Sequence, residues 1–288
     1  MLGLGAILTA IVTPFDDLMR VDEDAFVALH RHLCEHGSDG VVAAGTTGES
    51  STLSDEEHLR VVELACTERP PGTSVVAGAG SNDTAHAVHM TERVTELGAD
   101  AILSVTPYYN KPPRAGIIAH YKAIAASTDR PIILYNIPQR TALDLPNDLL
   151  AELAQIDGIA GVKQANADNL APIDGLEVYA GNDDLLADVL DMGGPGGILV
   201  ASHVAGERMK AMADAQSSEE RHAIQDELMP VYDALSKHQA AMAVKGALGL
   251  MGLRAGSPRL PLVPLDDAQL DELRTDLERA GLLEPAAR

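Results

Sequence analysis

The sequence predicts an α/β fold, a single (β/α)8 barrel with a C-terminal helical extension. Three observations predict it. Eight short, nearly continuous apolar runs alternate with amphipathic stretches over the first two thirds of the chain, as strands buried on both faces alternate with covering helices. The first run leads into Thr13-Pro14-Phe15-Asp16, where an open doubly wound sheet would place a glycine-rich fingerprint. The 288 residues suit one barrel of about 250 residues with an appendage.

The strand runs fall at residues 6–12, 41–44, 74–77, 101–105, 132–135, 159–162, 176–179 and 197–200. Helix signals stand between them. Phe26, Leu29 and Leu33 make an i, i+3, i+7 stripe that Gly37 closes. Ser54 followed by Glu57 is a capping box opening the next helix. Ala87, Met90, Val94 and Leu97 form another stripe, stopped by Gly98. The stretch from Gln164 to Gly175 leaves room for only a turn or two of helix. Beyond Val200 the chain reads as helical at 207–213, 218–235, 240–250 and 266–280. The first of these completes the barrel, so residues 1–215 are expected to form the barrel and 216–288 an extension packed on it. No repeat, low-complexity tract or linker marks an independent second domain.

Composition narrows the partners. Forty-three acids against 21 bases leave a formal charge of -22. Phosphate-backbone affinity needs clustered cations, so nucleic acid is excluded as a partner, and an anionic membrane surface is disfavoured for the same reason. The acidity fits plain solubility. It also fits a surface adapted to high salt, since only six of the bases are Lys, although a high-GC genome favours Arg in the same way. Cys34 and Cys66 lie in helical patterns and suggest no disulfide framework, which points to a reducing cytoplasm. The apolar N-terminal run has no basic flank and is ended by Pro14 and Asp16. It is expected to be a buried strand, neither signal nor span.

A barrel builds its active site at the C-terminal ends of its strands, so the residues directly after each run matter most. Lys163 closes the run Gly158-Ile-Ala-Gly-Val162. Its ammonium would sit in a largely dry barrel, where desolvation lowers the pKa and makes a carbonyl-attacking amine. The plain alternative is a lysine that snorkels outward or pairs with a buried carboxylate. Lys245, in the apolar helix at 240–250, is a rival by the same logic, expected to lie outside the barrel and snorkel. The segment Gly45-Thr46-Thr47-Gly48-Glu49-Ser50 clusters backbone N–H groups suited to a small carboxylate or phosphate, or it is merely a tight turn. It lacks the spacing and lysine of a nucleotide-binding loop. Tyr109 and Tyr135 are phenols near the same mouth that could relay protons with Thr46, and Arg140 could fork onto a carboxylate. Core packing and a surface ion pair are the ordinary readings of each. Gly181-Asn182-Asp183 is a further polar strand end at that mouth. The pairs His30/His32 and His86/His89 are read as helix-surface histidines, and His30 with Cys34 finds no third metal ligand. Metal chemistry is therefore only weakly signalled.

Taken together, TAIVTPF, GTTGES, VTPYYNKP, LYNIPQRT, GVKQA and the late Arg259-Leu260-Pro261 resemble the pyruvate-dependent class I aldolases of the dihydrodipicolinate synthase/N-acetylneuraminate lyase family. The resemblance covers nearly the whole chain, in order. It implies condensation of pyruvate with aspartate semialdehyde through a Schiff base on Lys163. Tyr135 would then be the general acid/base, with Thr46 and Tyr109 completing a proton relay. The N–H groups of Thr46 and Thr47 would hold the pyruvate carboxylate, Arg140 would receive that of the semialdehyde, and Gly181 and Ile198 would line the pocket through their backbones. Tyr109 would reach into a neighbouring subunit, implying a homo-oligomer, a dimer or a dimer of dimers. The positions matching an allosteric lysine pocket are Ser50, Asp55, His58, Asn82, His86 and Tyr108.

Two departures stand out. Gln164 occupies a position where the family usually carries an acid. His86 stands where regulated relatives often carry Glu, so lysine feedback is expected to be weak or absent. The competing readings are a Schiff-base aldolase or dehydratase acting on a sugar acid, and a non-catalytic keto-acid-binding protein on the same fold.

Overall fold

A computed structural model describes residues 2–283. Eight parallel strands close in sequence order into a barrel: β1 (Ile7–Thr9), β2 (Gly40–Ala43), β3 (Ser74–Gly78), β4 (Ala101–Val105), β5 (Ile132–Asn136), β6 (Ile159–Gln164), β7 (Glu177–Ala180) and β8 (Gly196–Leu199). Closure is made by β1, which pairs with β2 on one side and β8 on the other. Every predicted run forms a strand, because runs of Val, Ile, Leu and Ala with no polar face are stable only where both faces are covered.

The covering helices are α1 (Glu23–Glu35), α2 (Asp55–Thr67), α3 (Thr84–Glu96), α4 (Arg114–Ala125), the short α5 (Pro138–Thr141) and α6 (Asn147–Leu153), α7 (Leu186–Asp191) and α8 (Ser202–Asp214). The capping box at Ser54 and Glu57 forms at the start of α2, and Asp22 caps α1. Gly37, just past the end of α1, has φ +101, a conformation open to glycine at no steric cost. Between β6 and β7 the chain manages only one 3-10 turn, Ala167–Asn169, as the short spacing predicts. Helix α8 begins five residues earlier than its apolar signal because a first turn from Ser202 is joined to it across a kink at Ala205. After it come α9 (Ser218–Ser236), α10 (Ala240–Leu250) and α11 (Asp267–Arg279).

Side chains alternate along each strand, and this sorts the core. Leu8, Val42, Val76, Leu103, Ile133, Tyr135, Tyr179 and Ile198 fill the lumen. Val41, Val75, Ile102, Ile132, Leu134 and Val162 face outward under α1 to α6. A third cluster joins Ile7, Ala180 and Leu199 of the barrel to Leu228, Val231, Ala243, Leu273 and Leu277 of α9, α10 and α11. Two polar residues expected on surfaces are absorbed instead. His30 is fully buried in α1, against Phe26, and burial pushes its pKa down to about 4, so it packs as a neutral ring. Lys245 does not snorkel; it is buried against Glu49, at the barrel mouth. Among the described residues, no helix is long and apolar enough to cross a membrane.

Candidate active site

The strand ends meet around Lys163. Period-two alternation puts Gly161, Lys163 and Ala165 on the lumen side of β6, and register sets Lys163 beside Tyr135 of β5 and Tyr179 of β7. Lys163 is only 5% exposed, with Nζ 4.3 Å from the centroid of the Tyr135 ring. Burial is the main force on its charge. The nearby Arg140 adds to it and Asp183 opposes it, leaving the pKa lowered to about 7. A lysine held there is largely a free amine just above neutral pH. Tyr135 is buried too, and burial raises its phenol to about 12, with Arg140 pulling the other way. It therefore keeps its proton at any working pH.

Above this pair opens a cavity of about 410 Å³. Thr46, Tyr135 and Arg140 line it, and so do Ser50, Asp55, His58, His86 and Tyr108. Three expected site residues and five expected regulatory positions thus share one continuous space. His86 Nε2 lies 3.0 Å from Asp55 Oδ1, His58 Nε2 donates to the Gly78 carbonyl at 2.6 Å, and Asn82 Nδ2 donates to the Tyr108 carbonyl at 3.1 Å. Thr47 is buried next to Thr46, while Ile198 is buried in the lumen wall. Gly181 tolerates no side chain, since a Cβ there would fall 2.6 Å from the Gln164 carbonyl. Its own N–H donates to that carbonyl at 2.8 Å. Arg140 sits on α5 and donates through Nη1 to Gln239 Oε1, just ahead of α10, at 2.9 Å.

Of the other expected residues, Lys163, Thr47, Gly181, Ile198 and Asn82 are not among the lining of this cavity, and one points away altogether. Tyr109 is 88% exposed with φ +72, and it does not line the cavity of its own chain.

Sequence reasoning also misses residues that hold the site. Asp183 accepts hydrogen bonds from the N–H groups of Val200 and Ala201, both at 2.9 Å, and burial raises its pKa despite those bonds. It is the carboxylate that partly offsets the positive field at Lys163. Its place in the polar strand end Gly181-Asn182-Asp183 is the signal that the sequence offers. His203 is buried and neutral, its pKa pushed down to about 4 by burial. Its Nδ1 donates to the Val200 carbonyl at 2.8 Å and its Nε2 accepts from the Val12 N–H at 3.2 Å, which ties β8 back to β1.

Gln164 points away from Lys163, on the outer side of the sheet opposite Asn136. Its Oε1 accepts from Asn136 Nδ2 and from the Asn166 N–H, each at 3.0 Å. Asp144 joins the same network, accepting from Asn136, Asn166 and Asn169 at 2.9, 3.2 and 2.8 Å. A carboxylate is thus present beside this strand end, supplied by the β5 loop.

Comparison with known proteins agrees with this architecture. The model of the Dihydrodipicolinate synthetase family matches residues 3–280. A Moorella thermoacetica protein named 4-hydroxy-tetrahydrodipicolinate synthase is 42% identical over 293 residues, covering 97% of this chain and 99% of its own. The solved structure of the chloride-inhibited dihydrodipicolinate synthase from Acinetobacter baumannii, complexed with pyruvate, superposes with a TM-score of 0.93 at 36% identity, covering 97% of this chain and all of the other. DHDPS from Cyanidioschyzon merolae with lysine bound gives 0.91 at 36% identity, covering 98% and 99%. Agreement that runs from residue 3 to residue 280, over a barrel of the same architecture, means that the chain belongs to the Dihydrodipicolinate synthetase family.

Proposed function

We propose that this chain is a lyase that condenses pyruvate with L-aspartate 4-semialdehyde to 4-hydroxy-tetrahydrodipicolinate, a step of lysine and diaminopimelate biosynthesis. The observation that carries the reading is Lys163, dry in the lumen and held near neutral pKa against Tyr135. As a free amine, Nζ attacks the ketone carbon of pyruvate. Water leaves and the resulting iminium acidifies the adjacent methyl group. Proton loss gives an enamine that attacks the aldehyde carbon of the second substrate, and that substrate's amine closes the ring and displaces Lys163. Tyr135 is the general acid/base of these transfers, in relay with Thr46 and with Tyr109. The N–H groups of Thr46 and Thr47 hold the pyruvate carboxylate, Arg140 holds that of the semialdehyde, and Gly181 and Ile198 shape the floor. None of these steps calls for a metal or organic cofactor.

The chain would act in the cytoplasm as a homo-oligomer. The exposed Tyr109 ring supports a dimer in which each copy completes the other's relay. Residues 1–215 would form the catalytic barrel, with 216–288 as its packed extension.

The test is a coupled assay with pyruvate, aspartate semialdehyde and a reductase that oxidises NADPH when product appears. It should be run at low and at molar salt because of the acidic surface. Rapid NADPH loss is expected. Its absence from folded protein at both salts would reject the reaction, and borohydride trapping of pyruvate on Lys163 would then separate a different acceptor from an inactive site.

Lysine is expected to inhibit weakly. Its ammonium needs a carboxylate partner, and Asp55, the acid lining that part of the cavity, already faces His86. Half-inhibition at sub-millimolar lysine in the same assay would contradict this.

A further inference from the structure

The turn that carries Thr46 and Thr47 is fastened from outside the barrel. Its last residue, Glu49, is buried and has φ +57, a left-handed conformation that non-glycine residues keep only when their surroundings over-determine it. The surroundings here are specific. Glu49 Oε1 lies 2.6 Å from Nζ of Lys245 on α10, and the two side chains are 1% and 2% exposed. Glu49 Oε2 accepts from the backbone N–H of Arg259 at 2.8 Å. The Glu49 N–H in turn donates to the Thr46 carbonyl at 3.1 Å, and Thr13 Oγ1 donates to the Gly48 carbonyl at 2.6 Å. Lys245 also donates to the Ser257 carbonyl at 3.2 Å and lies 4.1 Å over the Phe15 ring.

We infer that Lys245 and Glu49 are a positioning pair, through which α10 of the C-terminal extension sets the turn that receives the pyruvate carboxylate. The inference rests on the proposed role of the Thr46 and Thr47 N–H groups. A buried charge left without its partner must find water or another counter-charge. Removing the lysine, with or without the Glu49 charge, removes the ion pair that holds residue 49 in its left-handed conformation, and the Thr46–Glu49 hydrogen bond goes with it. Lys163 and Tyr135, on β6 and β5, do not touch this pair, so the covalent steps should survive a turn that binds poorly.

The experiment is steady-state kinetics with pyruvate varied, alongside borohydride trapping and thermal melts. It uses wild type, Lys245→Met, the double variant Glu49→Gln/Lys245→Met, and Lys237→Met. The double variant leaves no unpaired charge and keeps the test open if Lys245→Met folds poorly. Lys237, at the end of α9, pairs on the surface with Glu272 and Asp276 of α11 at 2.6 and 2.8 Å, so its loss reports general loosening of the extension. The expected result is a pyruvate KM raised about tenfold or more in the folded Lys245 variants, the scale of one lost charge-assisted contact. kcat should stay within about threefold of wild type, and Lys237→Met should leave both unchanged. A KM within about twofold of wild type in a folded Lys245 variant, or an equal rise in Lys237→Met, would overturn the inference. Wild-type protein that traps no pyruvate would overturn the reading of the site itself, and this inference with it.

Discussion

Lys163→Met should give a protein that has lost turnover by at least about 10³-fold, the scale of removing a covalent nucleophile, and that nevertheless melts higher than wild type at neutral pH. Both effects come from one cause. The barrel buries an amine whose charged form it disfavours, lowering its pKa from 10.5 to about 7. Methionine fills much the same space with no charge to desolvate. For a base whose folded pKa lies below its unfolded one, the unfolded chain binds the extra proton, so wild-type stability rises with pH across that window. The stability cost of the lysine is therefore full below about pH 7, shrinks as pH climbs toward 10.5, and is gone above it. At pH 7 it is on the order of a few kcal/mol. Paired thermal melts at neutral and mildly alkaline pH should show the variant ahead of wild type by a gap that narrows with pH. Equal melting temperatures, or a gap that widens, would show that the lysine is not held uncharged by burial. In wild type the same group should give kcat/KM for pyruvate an acid limb near pH 7.

The second large effect is expected at Tyr135. Tyr135→Phe keeps the ring that lies 4.3 Å from Lys163 Nζ and deletes only the hydroxyl. Because burial holds the phenol near 12, it is protonated throughout the working range and fit to donate to a departing hydroxyl or to an alkoxide. Its loss should lower kcat by about 10²–10³-fold, the scale of a positioned acid/base, with pyruvate KM changed little. The acid limb near pH 7 should stay in place, since burial and not the hydroxyl sets the Lys163 pKa. Borohydride should still trap pyruvate, only more slowly. A loss below about tenfold would assign the proton transfers to another group.

Much of this site is legible in the linear sequence, for a physical reason that also marks its limit. Lys163, Tyr135, Thr46 and Arg140 are readable as candidates because they end or follow apolar runs, where a barrel builds its site, and their roles come from the resemblance. With both faces of each strand covered, alternation alone does not say which side is the lumen; register among β5, β6 and β7 decides it. Gln164 shows where this reasoning stops. Parity says that it faces away from Lys163, but only register with β5 reveals that it meets Asn136 and shares a network with Asp144.

Histidine and lysine on helices are harder to read. His30 and Lys245 each lie in amphipathic or apolar helices where either of two flanks could face inward. The face of α1 that takes His30 into the core is chosen by its contact with the barrel wall. The face of α10 that sends Lys245 toward Glu49 is chosen by how the extension docks. Asp183 and His203 gain their roles in the same way, Asp183 from the meeting of the β7 and β8 ends and His203 from the closing of β8 against β1.

The sequence by itself determined the strand and helix order, the barrel, the acidic surface and the lysine at the end of β6. These rest on short-range periodicity, caps and composition, which act within a few residues. Tertiary structure alone decided that Tyr109 leaves its own cavity, that five of the six positions expected for regulation open into the same space as Thr46 and Arg140, and that Lys245 pairs with Glu49. Those outcomes depend on residues far apart in the chain being brought together, and the free energy that selects them, burial of charge against charge and of one packed face against another, exists only once the chain has closed.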